Sequence, residues 1–424
     1  MFENIIGYDE IKLTLKRVID ILNNEDKYKE LGCQIPNGLL LYGEPGIGKS
    51  TIANEFKLSI QRKTFVIRKS KSDGDFINYI GSIFKKAVDN QPSLIILDDL
   101  DKFAESKKYN AEEYVAVQTQ IDEAKGKDVF VLATANNIKN FPESLLRSGR
   151  FDIKIHLEAP NEKDSLKIIN HYLKSKKLSS DVNTTNIAHI LNGVSCADLE
   201  KVCNQAGIYA GYNNKKSIGM NELVRASLEQ KYNTSIEDLE KEDSYSLNVA
   251  YHEAAHALVY DFLEPGATSF ISITKNNSNT RGMTIFHNDE NYFDDIKFME
   301  NRIKVLLAGK AATEIVYGKS DTGVNDDLHR AFDVSRRLID DYCINGFNSW
   351  ITSSVETSEK VKQSKDDEVN KLMTNYYNEV KELLIKNRHI LDALATELNK
   401  KKILFKDEIQ DICKNPGKYK ESSA

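Results

Sequence analysis

Residues 43–50, Gly-Glu-Pro-Gly-Ile-Gly-Lys-Ser, set the tightest limit on what this chain can fold into. They satisfy GxxxxGK[ST], follow the apolar Leu39–Tyr42 and precede an amphipathic stretch, Thr51–Ile60. Glycines in such a run let consecutive backbone N–H groups curl into a concave cradle for phosphates. A helix starting at its lip adds the positive end of its dipole. The cradle needs a buried strand before it and a helix after it, so the N-terminal part of the chain must be α/β. In this layout Gly43, Glu44, Pro45, Gly46, Ile47, Gly48, Lys49, Ser50 and Thr51 form a nucleotide-holding segment. Lys49 is set to reach the β- and γ-phosphates of ATP, and the Ser50 hydroxyl to ligate Mg²⁺.

The surrounding pattern agrees. Thr64–Arg68, Ser93–Leu97, Val129–Thr134 and Ile153–Leu157 are short apolar runs alternating with helical periodicity, as in a parallel sheet. Ile95-Ile96-Leu97 ends in Asp98-Asp99. Asp98 is expected to hold Mg²⁺ through water, and Asp99 to polarise the attacking water. Ala133-Thr134-Ala135 ends in Asn136, a polar tip that can touch the γ-phosphate or that water. Two arginines three residues apart, Arg147 and Arg150, follow in Leu145–Asp152; taken alone, they read as a solvated basic turn.

Charge narrows the function classes. With 58 basic against 64 acidic residues the net charge is −6, which disfavours a partner bound by phosphate neutralisation, so no nucleic acid is expected. The five cysteines form no CxxC pair, which points to a reducing compartment and away from a cysteine zinc site. The longest apolar runs fall far short of the ~20 residues that cross a bilayer, and the first residues lack an export-signal pattern. On this basis the chain is expected to be cytoplasmic, with no membrane segment of its own.

A second chemistry appears at Tyr251-His252-Glu253-Ala254-Ala255-His256, an HExxH inside an apolar helical run. Residues four apart share a helix face, so His252 and His256 can reach one zinc ion. Glu253 is then set to take a proton from water on the metal. Two histidines leave a catalytic zinc one protein ligand short. Glu314 is one candidate for the third, though better suited to orient a ligating histidine. From spacing alone, Asp326 or Asp327 reads equally well as a helix N-cap.

The P-loop, acidic strand end, strand-end Asn and Leu-Leu-Arg-Ser-Gly-Arg-Phe-Asp segment, in this order, resemble the AAA+ ATPases. That resemblance implies that Arg147 and Arg150 act as fingers on a neighbouring subunit's ATP, in a homo-oligomer that is usually a hexamer. Gly193–Leu199 resembles the turn of the family's helical lid near the adenine, and Gly7–Glu10 the segment on the other side of the base. Ser320–Leu328 resembles a segment of the FtsH family of AAA+ zinc proteases in which the Asp before Leu is the third zinc ligand, here Asp327.

The resemblance, from about Phe2 to Lys414, implies an α/β AAA+ domain over 1–157 and a helical lid over 158–235. A linker at 236–243, a mainly α-helical zinc peptidase domain over 244–414 and a loose tail at 415–424 complete the expected order. It further implies an ATP-dependent zinc metalloendopeptidase that unfolds and translocates unfolded or tagged proteins. The alternatives are an AAA+ remodelling ATPase or chaperone with a weak or vestigial peptidase, and a zinc peptidase whose ATPase is an assembly switch. Four departures bear on this. Asp99 replaces a Glu, and Ala255 replaces a Gly within HExxH. No membrane segment is expected in this chain ahead of the ATPase core, where relatives usually carry one. Ser72-Asp73-Gly74-Asp75 stands where an aromatic pore grip is usual, with Phe76 the nearest substitute.

Overall fold

The computed structural model describes residues 2–69, 73–103, 111–139, 141–234, 246–275, 281–286, 295–320, 322–344, 346 and 359–419. The chain forms two compact units, Met1–Leu223 and Val224–Ala424. The expected linker at 236–243 lies outside the described residues.

The first unit opens with α1 (Asp9–Asn23) and the short α2 (Glu25–Glu30). Helix α1 buries Leu15, Val18, Ile19 and Leu22, a stripe at helical spacing, and carries Asp9 and Glu10 at its positive end. Five parallel strands follow: β1 (Gly38–Tyr42), β2 (Lys63–Ile67), β3 (Ser93–Leu97), β4 (Val129–Ala135) and β5 (Ile153–His156), in the spatial order β2-β3-β4-β1-β5. Helices α3 (Lys49–Ser59), α4 (Asp73–Val88) and α5 (Ala111–Glu123) make the crossovers. Both sheet faces are covered. Leu39 and Leu41 pack with Phe56 and Phe130 on one face; Leu40 packs with Ile95, Phe84 and Phe103 on the other. That is why these strands read as continuous apolar runs rather than alternating ones. Each fully buried leucine contributes roughly 1.5–3 kcal/mol by area.

Four helices follow: α6 (Glu162–Leu173), α7 (Thr184–Ile190), α8 (Cys196–Tyr212) and α9 (Met220–Tyr232). The sequence showed one break among them, at Asn192-Gly193; there are two more, at 174–183 and 213–219, joined by a parallel bridge between Leu178 and Ile218. Asn161, Asn183 and Ser195 cap three of these helices by accepting bonds from backbone N–H groups.

The second unit is mostly helical: α10 (Ser246–Leu263), α11 (Ile296–Tyr317), α12 (Asn325–Asp340), α13 (Glu359–Lys386), α14 (Arg388–Lys401) and α15 (Lys406–Lys414). The expected β-like insert is real, as β6 (Thr268–Lys275) and β7 (Arg281–Phe286). A third strand with no sequence signal, β8 (Ile403–Phe405), pairs with β6, giving the antiparallel order β7-β6-β8. The core runs between α10 and α11, where Ala250, Ala254, Ala255 and Ala257 face Ala308, Ala311 and Ala312. Side chains this small let the two helix backbones approach closely. The chain end expected to be loose is partly folded: 416–419 form a 3-10 turn, and Tyr419 donates to Asp411.

Candidate active sites

At the carboxyl ends of the parallel strands, the 43–50 segment wraps between β1 and the first turn of α3. Gly43, Gly46 and Gly48 have φ of +148°, +80° and +97°. A Cβ on Gly43 would lie 2.0 Å from the Leu157 carbonyl oxygen, so only glycine fits there. Lys49, 7% exposed, donates from Nζ to the Gly43 and Glu44 carbonyls, each at 2.7 Å. Its pKa is lowered, chiefly by burial, with Asp101 and Asp99 acting in the opposite sense. Ser195 sits above Gly46, and the Ala197 N–H donates to the Gly46 carbonyl at 3.0 Å, so the helical turn closes on the cradle. Tyr8, Ile6, His171, Tyr172 and Cys196 line an adjoining cavity.

Asp98 is 7% exposed, and its Oδ1 accepts the Thr134 hydroxyl at 2.9 Å. Thr134 also accepts the Asp99 N–H at 2.9 Å, which fixes the left-handed turn at Asp99 (φ 55°). The Asp99 carboxylate pairs with Lys102 at 2.6 Å. Asn136 donates from its backbone and its side chain to Asp101, at 3.1 and 3.2 Å. Of the two arginines, Arg147 is exposed. Arg150 is engaged within its own chain, with its Nε and Nη2 on Asp122 at 3.0 and 2.6 Å and its Nη1 on the Ser144 carbonyl. The Arg150 bonds hold the Asp122 carboxyl down to about 2.

Elsewhere in this unit a cavity of about 730 Å³ is lined by Glu25, Lys27, Arg62 and Asp128. Its one buried cation, Arg62, already bridges Glu25 and Asp128, so it offers no free charge to a ligand.

In the second unit, α10 and the first turn of α12 bring three donors together. Nε2 of His252 and Nε2 of His256 are 3.0 Å apart, and each lies 3.1 Å from Asp327 Oδ2. Donors bound tetrahedrally at ~2.0–2.1 Å stand ~3.3 Å from one another, so this triangle fits a zinc ion with little adjustment. Asp327 is no N-cap: α12 starts after Val324 with no side-chain cap bond, and the Asp327 carboxyl points at the imidazoles. His256 donates from Nδ1 to the Val305 carbonyl at 2.7 Å, which turns the Nε2 lone pair to the metal position. Glu253 is 6% exposed and accepts the Thr284 hydroxyl at 2.7 Å. Burial pushes its carboxyl above the usual range, and the two imidazoles pull the other way.

Two glycines make room for this arrangement. A Cβ on Gly309 of α11 would stand 2.3 Å from His252 Cε1 and 2.6 Å from its Nε2. A Cβ on Gly282 of β7, where φ is +84°, would stand 2.4 Å from Glu253 Oε1.

Comparison with known proteins assigns a family to each of the two sequence regions that contain these residues. Residues 239–412 match Peptidase family M41, and residues 39–159 match the ATPase family associated with various cellular activities (AAA). The chain is 30% identical to the ATP-dependent zinc metalloprotease FtsH 2 of Thermoanaerobacter sp. (strain X514), covering 97% of this chain and 82% of that protein. The chain belongs to the FtsH family of ATP-dependent zinc metalloproteases. It is 28% identical to FtsH 3 of Synechocystis sp. (strain ATCC 27184 / PCC 6803 / Kazusa), over 98% of this chain and 73% of the relative, and 29% identical to FtsH of Karelsulcia muelleri (strain DMIN), over 97% and 70%. No described helix is long and apolar enough to cross a membrane.

Two expectations for this FtsH-family chain need correction. Glu314 orients no ligating histidine; its carboxyl takes bonds from Lys310 and Tyr377. Phe76 cannot serve as a pore aromatic, because it is 0% exposed and packs edge-on against Phe103, 5.2 Å between centroids. Of the acidic pore segment, Ser72 lies outside the described residues, and Gly74 and Asp75 form the exposed first turn of α4. Sequence reasoning missed Thr134, Thr284, Gly282 and Gly309. The two glycines left weak signals there: Gly282 as a lone glycine in a strand-like run, which suggests a close approach, and Gly309 as a lone glycine inside the helical run Leu306–Thr313, where it costs stability.

The convergence of His252, His256 and Asp327 also predicts a pH effect for chelator-treated protein. Burial opposes charge on His256, but the hydrogen bond and charge of Asp327, with Glu253 behind it, raise its pKa to about 9. An unfolded histidine titrates near ~6.5, so this group contributes stability that is complete below about 6.5 and is lost as pH rises through about 9. Melting in EDTA is therefore expected at a lower temperature at pH 9.5 than at pH 6.5. The difference should shrink in His256→Gln, and equal drops in both proteins would refute the assignment.

Proposed function

We infer that this chain hydrolyses peptide bonds in unfolded or tagged proteins at His252, Glu253, His256 and Asp327, and that ATP turnover at the Gly43–Thr51 segment drives delivery of the substrate. The observation that carries this reading is the convergence of two imidazoles and the Asp327 carboxyl, from two helices distant in sequence, on one point beside a buried glutamate. His252, His256 and Asp327 are the residues that would hold zinc. Bound zinc supplies Lewis acidity, polarising the scissile carbonyl and acidifying a water. Glu253, with its basicity raised by burial and its orientation set by Thr284, takes the proton from the attacking water and passes it to the leaving nitrogen.

In the ATPase unit, Lys49 and the N–H groups of the glycine-rich turn hold the phosphates, and Ser50 and Asp98 hold Mg²⁺, which screens charge on the transferred phosphoryl group. Asp99 and Asn136 orient the attacking water. Arg147, exposed, is the finger offered to a neighbouring subunit; Arg150 braces its loop through Asp122 and joins the neighbour's site only if that pair opens. A finger acting in trans requires an oligomer, here read as a homo-hexameric ring.

Phe76 packed in the core favours a second reading, in which the peptidase does not thread its substrate and the ATPase serves as an assembly switch. One assay separates the two. Casein degradation is expected with ATP, to fall at least tenfold with ADP, and to be lost in Lys49→Ala together with nucleotide binding. Full degradation in Lys49→Ala would reduce the ATPase to an assembly role, and unchanged nucleotide affinity there would refute the P-loop reading.

A further inference from the structure

Parallel pairing of β2 with β3 sets Ile67 beside Leu97, so the next residues, Arg68 and Asp98, leave the sheet side by side. The Arg68 guanidinium closes on Asp98. Its Nε donates to Oδ2 at 2.9 Å, and its Nη2 donates to the same oxygen. Thr134 occupies Oδ1, so both oxygens of this carboxylate are engaged by side chains of the same unit. The two partners differ in exposure: the Asp98 side chain is 10% exposed and that of Arg68 is 67% exposed. The carboxylate is therefore fixed, and the guanidinium is free to swing into solvent.

We propose that Arg68 is an internal counter-ion that competes with Mg²⁺ for Asp98, so that binding of the magnesium–nucleotide complex requires Arg68 to release that oxygen. The proposal rests on the reading of Asp98 as the acid of the magnesium site. A guanidinium on that oxygen and a Mg²⁺ held to the same oxygen through water repel each other, and the divalent ion is the stronger. An ion pair with so exposed a partner is weak, so Arg68 yields to the metal and lowers its apparent affinity rather than excluding it. Lys102 stands in the same relation to Asp99, at 2.6 Å, so both acids of the strand end carry a cation from their own chain. Arg68 is thus a positioning residue that tunes when the site accepts its metal.

The test is calorimetric binding of a non-hydrolysable ATP analogue to the whole chain, in EDTA and in millimolar Mg²⁺. The ratio of the two affinities is the readout. Arg68→Ala is expected to raise the magnesium enhancement roughly threefold to fivefold, and Arg68→Lys, which keeps a cation without the fork, to lie between. Asp98→Asn should collapse the enhancement. If it collapses but Arg68→Ala leaves the ratio unchanged or lowers it, the counter-ion role is wrong while the magnesium reading stands. If Asp98→Asn keeps the full enhancement, the magnesium reading fails and the proposal fails with it. The exposure of Arg68 makes a folding defect in its variants an unsuitable explanation, and an unchanged melting temperature checks this.

Discussion

Gly309→Ala is expected to leave the purified protein with a zinc affinity lower by roughly ten- to a hundredfold, read by metal analysis after dialysis against a competing chelator. The added methyl carbon would stand 2.3 Å from the His252 ring, well inside van der Waals contact. The donor Nε2 is itself only 2.6 Å from the added carbon, so relief of the clash moves it off the point it shares with His256 and Asp327. Loss of fold is not the expected cause. Gly309 lies inside the 22-residue helix α11, where alanine is favoured over glycine by about 1 kcal/mol. Helix content should hold while zinc is lost. Full retention of zinc in this variant would show that the helix spacing relaxes instead, and that Gly309 places nothing.

Glu253→Gln makes the complementary case. Casein degradation with ATP should fall by about 10²–10⁴, the usual weight of a positioned proton carrier. Zinc should stay bound, because the glutamate is not among the three donors. The amide keeps an oxygen for the Thr284 hydroxyl, so the side chain is held in place and only its basicity is removed. Residual proteolysis within a few-fold of the unaltered chain would move the base elsewhere and overturn the assigned chemistry. Read together, the two variants separate metal retention from proton transfer: one loses the ion, and the other keeps it and is inactive.

What the sequence carried, it carried through short-range rules. The P-loop is legible because cradle, strand and helix are contiguous, and because positive φ at Gly46 and Gly48 leaves a glycine signature. HExxH is legible because helical period alone puts His252 and His256 on one face. The three inner strands, β1, β3 and β4, were readable from their uninterrupted apolar runs, since burial on both faces removes any alternation; the edge strands β2 and β5 are partly exposed and carried a weaker signal. Asp327 became readable only through family resemblance; by spacing it competed with a capping role.

Long-range proximity stayed hidden. Strand β8 is three residues with no pattern of its own, and it exists because β6 offers it an edge. Thr284 is an unremarkable strand residue until antiparallel pairing in the sheet brings it against Glu253. Arg68 and Asp98 are thirty residues apart, and strand register alone makes them partners. The sequence by itself determined which chemistries this protein can hold, because their motifs are local and set by backbone geometry. The tertiary structure decided which groups orient, neutralise and make room for those motifs, because such neighbours are selected by packing and register, which act across the whole length of the chain.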